Sequence, residues 1–318
     1  MSHKFSLRQT IMATALLGLT LLPLTSVLPI RQASAANDSP HTPVSSDGSY
    51  RTVFGQPDDV IQTQNGAYVK GHPGTNKRIH EFAPSSSRTS NQSAGHLGEE
   101  SVIGQDERTE VQDPSVYPYS AIVKIESDIG GCTGWLISPD TVVTAGHCVY
   151  DPNKHKWASF ANVYPGRNGN DLPYGSAKAR TFYSVTGWTE DGDGSYDYGA
   201  IKLNWDIGDS AGWFGYLWKS GSLDGTPENL SGYPGDKEYG TQWEDRDQIR
   251  KSTAYKLYYS NDTYGGQSGS PVYQENSRGC GVCSIAIHTN GVYGYNGYNS
   301  GTRITQEVFN NLNLWRQQ

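Results

Sequence analysis

The chain has 318 residues, with 25 Lys and Arg against 32 Asp and Glu, and a net charge of −7. That acidic balance excludes the broad basic surface of a nucleic-acid binder. With 37 Gly and 21 Tyr but only two Met, the composition favours strands and turns over a helical bundle.

Lys4 and Arg8 precede an apolar run from Ile11 to Ile30, and Ala33-Ser34-Ala35 follows with the small-x-small pattern of a secretory cleavage site. The run is nearly long enough to span a membrane, but Pro23, Pro29 and the adjacent Ala-Ser-Ala favour a signal peptide over residues 1–35. No later stretch approaches that length, so a secreted, extracellular product free of the membrane is expected. Residues 36–100 are rich in Ser, Gly, Asn, Gln and His, with Tyr50, Phe54, Tyr68 and Phe82 as their aromatics. Such a segment buries too little apolar surface to offset its ordering entropy alone, and reads as a disordered linker or a propeptide. All eight Trp, all four Cys and 19 of the 21 Tyr lie after residue 100, which marks a boundary. The body beyond it carries 17 Lys and Arg against 25 Asp and Glu, a net of −8.

The body reads as all-β. Runs 119–125, 133–137, 141–145, 200–203, 271–273 and 284–287 are short, β-branched or apolar, and are separated by Gly, Pro, Asp or Ser, a spacing suited to antiparallel sandwiches or barrels. Only the end is helical in pattern. Ile304, Val308, Phe309, Leu312 and Trp315 form one apolar stripe, with Thr305 in the N-cap position. In an exported protein the default for Cys132 with Cys148, and for Cys280 with Cys283, is disulfide bonding. The first bridge is worth about 3 kcal/mol by loop entropy. The Cys280-x-x-Cys283 spacing also suits half a zinc site or a redox pair, but a small structural disulfide is preferred.

Three segments carry nucleophile chemistry. Thr144-Ala-Gly-His147-Cys148 ends an apolar strand on a histidine. Asp197 stands before the strand Ala200-Ile-Lys-Leu203. Gly265-Gly-Gln-Ser268-Gly-Ser-Pro271 exposes a serine on a glycine-rich turn. A serine hydroxyl needs a base to accept its proton, neutral imidazole suits that task, and a buried carboxylate fixes the imidazole tautomer. Backbone N–H groups of Gly266 and Ser268 are the expected oxyanion donors, each such donor being worth about 2.7–4 kcal/mol. The serine turn departs from the Gly-x-Ser-x-Gly elbow, since residue 270 is Ser, and the chain lacks alternating strand–helix units, so an α/β-hydrolase is disfavoured.

In the order His147, Asp197, Ser268, these segments resemble the three signatures of the chymotrypsin-like serine proteases. More narrowly, residues 101–318 resemble the bacterial glutamyl endopeptidases, secreted enzymes that cleave after Glu and less well after Asp. The resemblance implies a chymotrypsin-like double β-barrel of two six-stranded antiparallel barrels with a C-terminal helix. The first barrel is placed in 101–210, the second with the helix in 211–318, and 36–100 becomes the propeptide of a proenzyme. It implies Thr263 and His288 as pocket donors for the substrate carboxylate, with Ser284 a further polar neighbour that faces either way. In the digestive branch an Asp precedes the serine and receives the freed N-terminal amine. Here Gln267 stands there, and the resemblance implies instead that the new ammonium, at Ser101 or Val102, helps bind the substrate carboxylate.

Glu99-Glu100 before Ser101 offers such an enzyme a place to cut its own precursor, in a polar stretch suited to proteolysis. Expected partners are Glu-containing proteins and peptides and the enzyme's own propeptide. No nucleic acid, no cofactor and no metal are expected, and the default is a monomer. The carboxylates at 191, 193 and 197 leave calcium binding open for their loop. Two other readings stand beside the leading one: a secreted protease-fold adhesin or toxin-like binding protein, and a serine protease of different specificity.

Overall fold

The computed structural model describes residues 39–50, 55–79, 81–82 and 101–318. The expected signal peptide and the expected cut after Glu100 lie outside the described residues. Beta-branched and aromatic residues fill the strands of residues 122–203, and six of these strands close on themselves. In spatial order they are Ala177–Val185, Ala161–Pro165, Ile122–Ser127, Gly130–Ser138, Thr141–Thr144 and Gly199–Leu203, the last pairing back onto Ala177–Val185. Every neighbouring pair is antiparallel. Ile122, Val123, Ile125, Trp135, Leu136, Val142, Val143 and Ile201 are fully buried, on one face of these strands or the other. Burying each such side chain contributes about 1.5–3 kcal/mol, which is the main term holding the barrel. Gly134 is required between Thr133 and Trp135, because a Cβ there would sit 2.6 Å from Val142 Cγ1 and 2.8 Å from the Val143 carbonyl oxygen.

The second sheet contains six strands in the order Lys256–Tyr259, Tyr298–Arg303, Gly281–Tyr295, Pro271–Ser277, Pro227–Gly232 and Trp243–Gln248. Its outer members are tied by Arg250 N–H to the Tyr258 carbonyl oxygen at 2.7 Å and Asn261 Nδ2 to the Asp245 carbonyl oxygen at 2.9 Å. The sheet is larger than a bare six-stranded barrel. Gly215–Lys219 adds in parallel to Gly281–Tyr295, and Thr109–Glu110 adds to Trp243–Gln248. The C-terminal helix, Gln306–Arg316, begins where the sequence places it, with Thr305 Oγ1 accepting from Val308 N–H at 3.3 Å. Its stripe of Val308, Phe309, Leu312 and Trp315 is buried, and Trp315 stacks on Tyr183 with ring centroids 6.0 Å apart.

The leader residues 39–50 and 55–79 pack on the body. They do so by borrowing partners. Pro43–Ser45 pairs with the edge of Ala177–Val185, and Gly66–Val69 pairs antiparallel with Gly215–Lys219. Ala67 and Val69 are thereby buried in the core, and Arg316 makes a two-point ion pair with Asp59. A composition too polar to fold alone is enough when the backbone completes an existing sheet edge. Among the described residues, no helix is long and apolar enough to cross a membrane.

Candidate active site

The strand Thr141–Thr144 ends at Ala145, and the chain turns through Gly146–Cys148. Gly146 is needed because a Cβ there would lie 2.8 Å from Trp188 Cδ1 and 3.0 Å from Asp197 Oδ1. The turn is stapled by the Cys132–Cys148 disulfide, with the Cα atoms 6.2 Å apart. Asp197 follows the turn Gly194–Tyr196 and leads into Gly199–Leu203. Both of its oxygens face His147. The backbone N–H of His147 donates to Oδ1 at 2.9 Å, and Nδ1 stands 2.8 Å from Oδ2. The Asp197 side chain is 1% exposed and that of His147 9%. Burial alone pushes the Asp197 carboxyl up, but His147, by charge and hydrogen bonds, and Lys256, by charge, together hold it below the usual carboxylate range.

The serine turn comes from the second sheet and docks on the first. Thr133 N–H donates to the Ser268 carbonyl oxygen at 2.9 Å, and the Cys148 sulfur lies 3.7 Å from the same oxygen. Gly269 N–H donates to the His288 carbonyl oxygen at 2.7 Å, and His288 N–H to that of Ser270 at 2.9 Å. Gly266 and Gly269 have φ of +106° and +88°, where other residues are strained. A Cβ on Gly269 would collide with the Thr133 carbonyl oxygen and Thr144 Oγ1, so the turn sits against the chain just before His147. The bonds that shape the turn run through the amides of Gln267, Gly269 and Ser270. Gln267 is buried, and its Oε1 accepts from Tyr264 N–H at 3.0 Å, an internal brace in place of a partner for the N-terminus. Thr133 went unnoticed in the sequence. Its hydroxyl donates to the Gly266 carbonyl oxygen at 2.8 Å and accepts from Tyr233 N–H at 3.0 Å, which locks the turn's entry.

His288 and Thr263 are both fully buried beside this turn. His288 Nδ1 is 2.7 Å from the Tyr259 hydroxyl, a partner the sequence reading missed. Burial, with the charges of His147 and Lys256, pushes the His288 ring down to about 3, so it is neutral at neutral pH in the unliganded protein. Ser101 N lies 3.3 Å from Thr263 Oγ1, and the Ser101 carbonyl oxygen accepts from Asn299 Nδ2 at 2.7 Å and from Thr263 N–H at 3.2 Å. Asp262 receives Ile103 N–H at 2.6 Å and Glu107 N–H at 2.7 Å, so residues 101–107 are held against the segment that carries Thr263. Ser284 turns inward, its hydroxyl facing the carbonyl oxygens of Ala286 at 3.0 Å and Val272 at 3.2 Å.

Cys280 and Cys283 are joined in a disulfide. Among the described residues, the one cluster of three metal-type side chains is Cys132, His147 and Cys148. Its two sulfurs are bonded to each other, which leaves no thiolate to hold an ion.

The family model described as Trypsin matches residues 106–308. The chain is 48% identical over 308 residues to the glutamyl endopeptidase of Bacillus licheniformis, covering 95% of each. It is 50% identical over 225 residues to a Bacillus subtilis protein named extracellular metalloprotease, covering 69% of this chain and 70% of that one. The metal class in that name finds no matching donor set in the cluster just described. Among solved structures, a Glu endopeptidase in complex with MPD aligns with a TM-score of 0.64 and 33% identity, over 68% of this chain and 100% of the other.

Proposed function

This chain belongs to the trypsin family of serine proteases, as a serine endopeptidase of the glutamyl-endopeptidase type, and we propose that it is secreted as a proenzyme and cleaves peptide bonds after Glu. In this reading Ser268 Oγ attacks the carbonyl carbon while His147 takes its proton. The Asp197 carboxylate keeps the His147 proton on Nδ1 and stabilises the imidazolium. The amides of Gly266 and Ser268 receive the developing oxyanion. Collapse of the tetrahedral intermediate breaks the C–N bond, His147 returns its proton to the leaving amine, and an acyl-enzyme remains on Ser268. A water deprotonated by His147 then releases the acid and restores the serine.

The observation that carries the specificity is the position of Ser101. Its nitrogen is 3.3 Å from Thr263 Oγ1, one of the two residues assigned here to the substrate carboxylate. A cut after Glu100 would turn that amide nitrogen into an ammonium at the pocket, supplying the positive charge that neutral His288 lacks. A substrate carboxylate must lose water on entering, a loss of several kcal/mol unless cations and hydrogen bonds replace it. The body's net charge of −8 offers no long-range attraction, so this local set of Ser101, Thr263 and His288 does the recognition. The test is His288→Ala in the mature enzyme, assayed on matched peptides with Glu or Leu before the cut bond. Glu cleavage should fall by about 100-fold, the scale of one lost hydrogen bond to a charged group, while Leu cleavage changes by less than about threefold. Equal losses on both substrates would refute the pocket assignment.

A further inference from the structure

Lys256 opens the strand Lys256–Tyr259, and beyond its charge on Asp197 and His288 it has no role in the mechanism above. Its stem is half-buried, and its ammonium stands 2.8 Å from Thr289 Oγ1, 3.1 Å from Asn290 Oδ1 and 3.2 Å from Thr302 Oγ1. An ammonium has three protons and no acceptor, so these three oxygens take all of them. The hydroxyl protons must then point elsewhere, and each has a place. Thr302 Oγ1 donates to the Asp197 carbonyl oxygen at 2.9 Å, and Thr289 Oγ1 to Asn290 Oδ1 at 2.8 Å. Thr289 and Asn290 directly follow His288 in the chain, whereas Asp197 belongs to the other sheet's approach and grips His147. One cation thus joins the pocket strand to the segment that carries the triad carboxylate.

We propose that Lys256 is a positioning residue of the catalytic apparatus: its ammonium fixes the strand after His288 to the Asp197 segment, and its charge balances the buried carboxylate that holds His147. This rests on the serine-endopeptidase reading of the site. The charged and titratable groups that act with the ammonium are Asp197 and Asp193 from the loop before Gly199–Leu203 and His288 from the strand Gly281–Tyr295, and Asp197 in turn contacts His147 from the turn after Thr141–Thr144. Burial pushes Lys256 itself down to about 8, with Asp197 and Asp193 opposing that fall. Lys256 and His147 act on the same Asp197 carboxylate, so an ammonium beside that carboxylate offsets part of the negative charge that favours imidazolium, and removing the ammonium should raise the pH at which His147 gives up its proton. Because turnover needs neutral His147, the acid limb of kcat/KM then moves to higher pH.

The test uses the mature enzyme with Lys256→Met and Lys256→Arg, measuring kcat and KM on a Glu peptide from pH 5 to 9. In Lys256→Met the acid limb should rise by roughly half a pH unit or more, kcat should fall about tenfold or more, and KM should change less than about threefold. Lys256→Arg keeps the charge but not the three-point contact, so kcat should fall while the limb stays in place. A Lys256→Met limb at the wild-type pH, or a loss carried wholly by KM, overturns the proposal. If Lys256→Met is not recovered folded, Lys256→Arg decides, and either a displaced limb or an unchanged kcat overturns it. Failure of the serine reading shows separately, as activity surviving in Ser268→Ala.

Discussion

Replacing Asp197 by Asn keeps the side chain's shape and removes its charge, and the structure dictates how the amide must sit. The His147 backbone N–H, 2.9 Å from Oδ1, can only donate, so the Asn oxygen must take that place. The Asn NH₂ then occupies the Oδ2 position, 2.8 Å from His147 Nδ1, and donates to it. His147 is forced to carry its proton on Nε2, which leaves no lone pair to accept the Ser268 proton. The flipped amide would set donor against donor in a site 1% exposed, where an unmet polar group costs about 1–3 kcal/mol. A wrong tautomer in a triad of this type lowers kcat by about 10⁴-fold, or about 5.5 kcal/mol at 1.36 kcal/mol per factor of ten. The assay is kcat/KM at pH 7–8 on a Glu peptide, with active sites counted by burst titration and folding checked by thermal melting. An Asp197→Asn enzyme that melts like the wild type and works within about tenfold of it would refute the reasoning.

Glu228→Gln should stabilise the protein by about 1–3 kcal/mol above neutral pH. Burial raises the Glu228 carboxyl well above the usual range, Asp247 and Asp245 nearby add to the rise, and the side chain of Asn261 and the charge of Arg250 only partly oppose it. A raised folded-state pKa means that stability present at acid pH is lost as pH rises from the ordinary carboxylate pKa through the raised one. The gap in melting temperature between variant and wild type should therefore widen with pH from about 4 upward, and a gap that stays constant contradicts the assignment. Gly269→Ala should lower stability by at least about 3 kcal/mol, since φ is +88° and the new methyl meets the Thr133 backbone. Urea unfolding of this variant in a Ser268→Ala background, which cannot digest itself, measures it; a change below about 1 kcal/mol would contradict the turn's description.

What the sequence made legible follows from how local each feature is. His147, Asp197 and Ser268 stand in short motifs whose small neighbours, Gly146, Gly266 and Gly269, are demanded by close approaches within the site itself. The C-terminal helix was legible for a similar reason, since its stripe and Thr305 cap lie within one dozen residues. Tyr259 and Lys256 were not. Each stands 29 to 46 residues from the groups it bonds, and the run Lys256-Leu-Tyr-Tyr259 alternates like any half-buried strand. The ordering of Ala67 and Val69 was equally hidden, because their burial depends on the free edge of Gly215–Lys219, about 150 residues away, rather than on their own composition. The neutral state of the His288 ring was not legible in the sequence, because it follows from burial in the folded protein.

The central claim is that Ser268 is the nucleophile of a protease that accepts Glu. Its most direct measurement is the intact mass of the mature enzyme, quenched during turnover of matched ester substrates ending in Glu or Leu, followed by peptide mapping. The account predicts an acyl adduct on the peptide bearing Ser268 with the Glu ester, little with the Leu ester, and none in Ser268→Ala. An adduct on another residue, or equally fast acylation by the Leu ester, would contradict it.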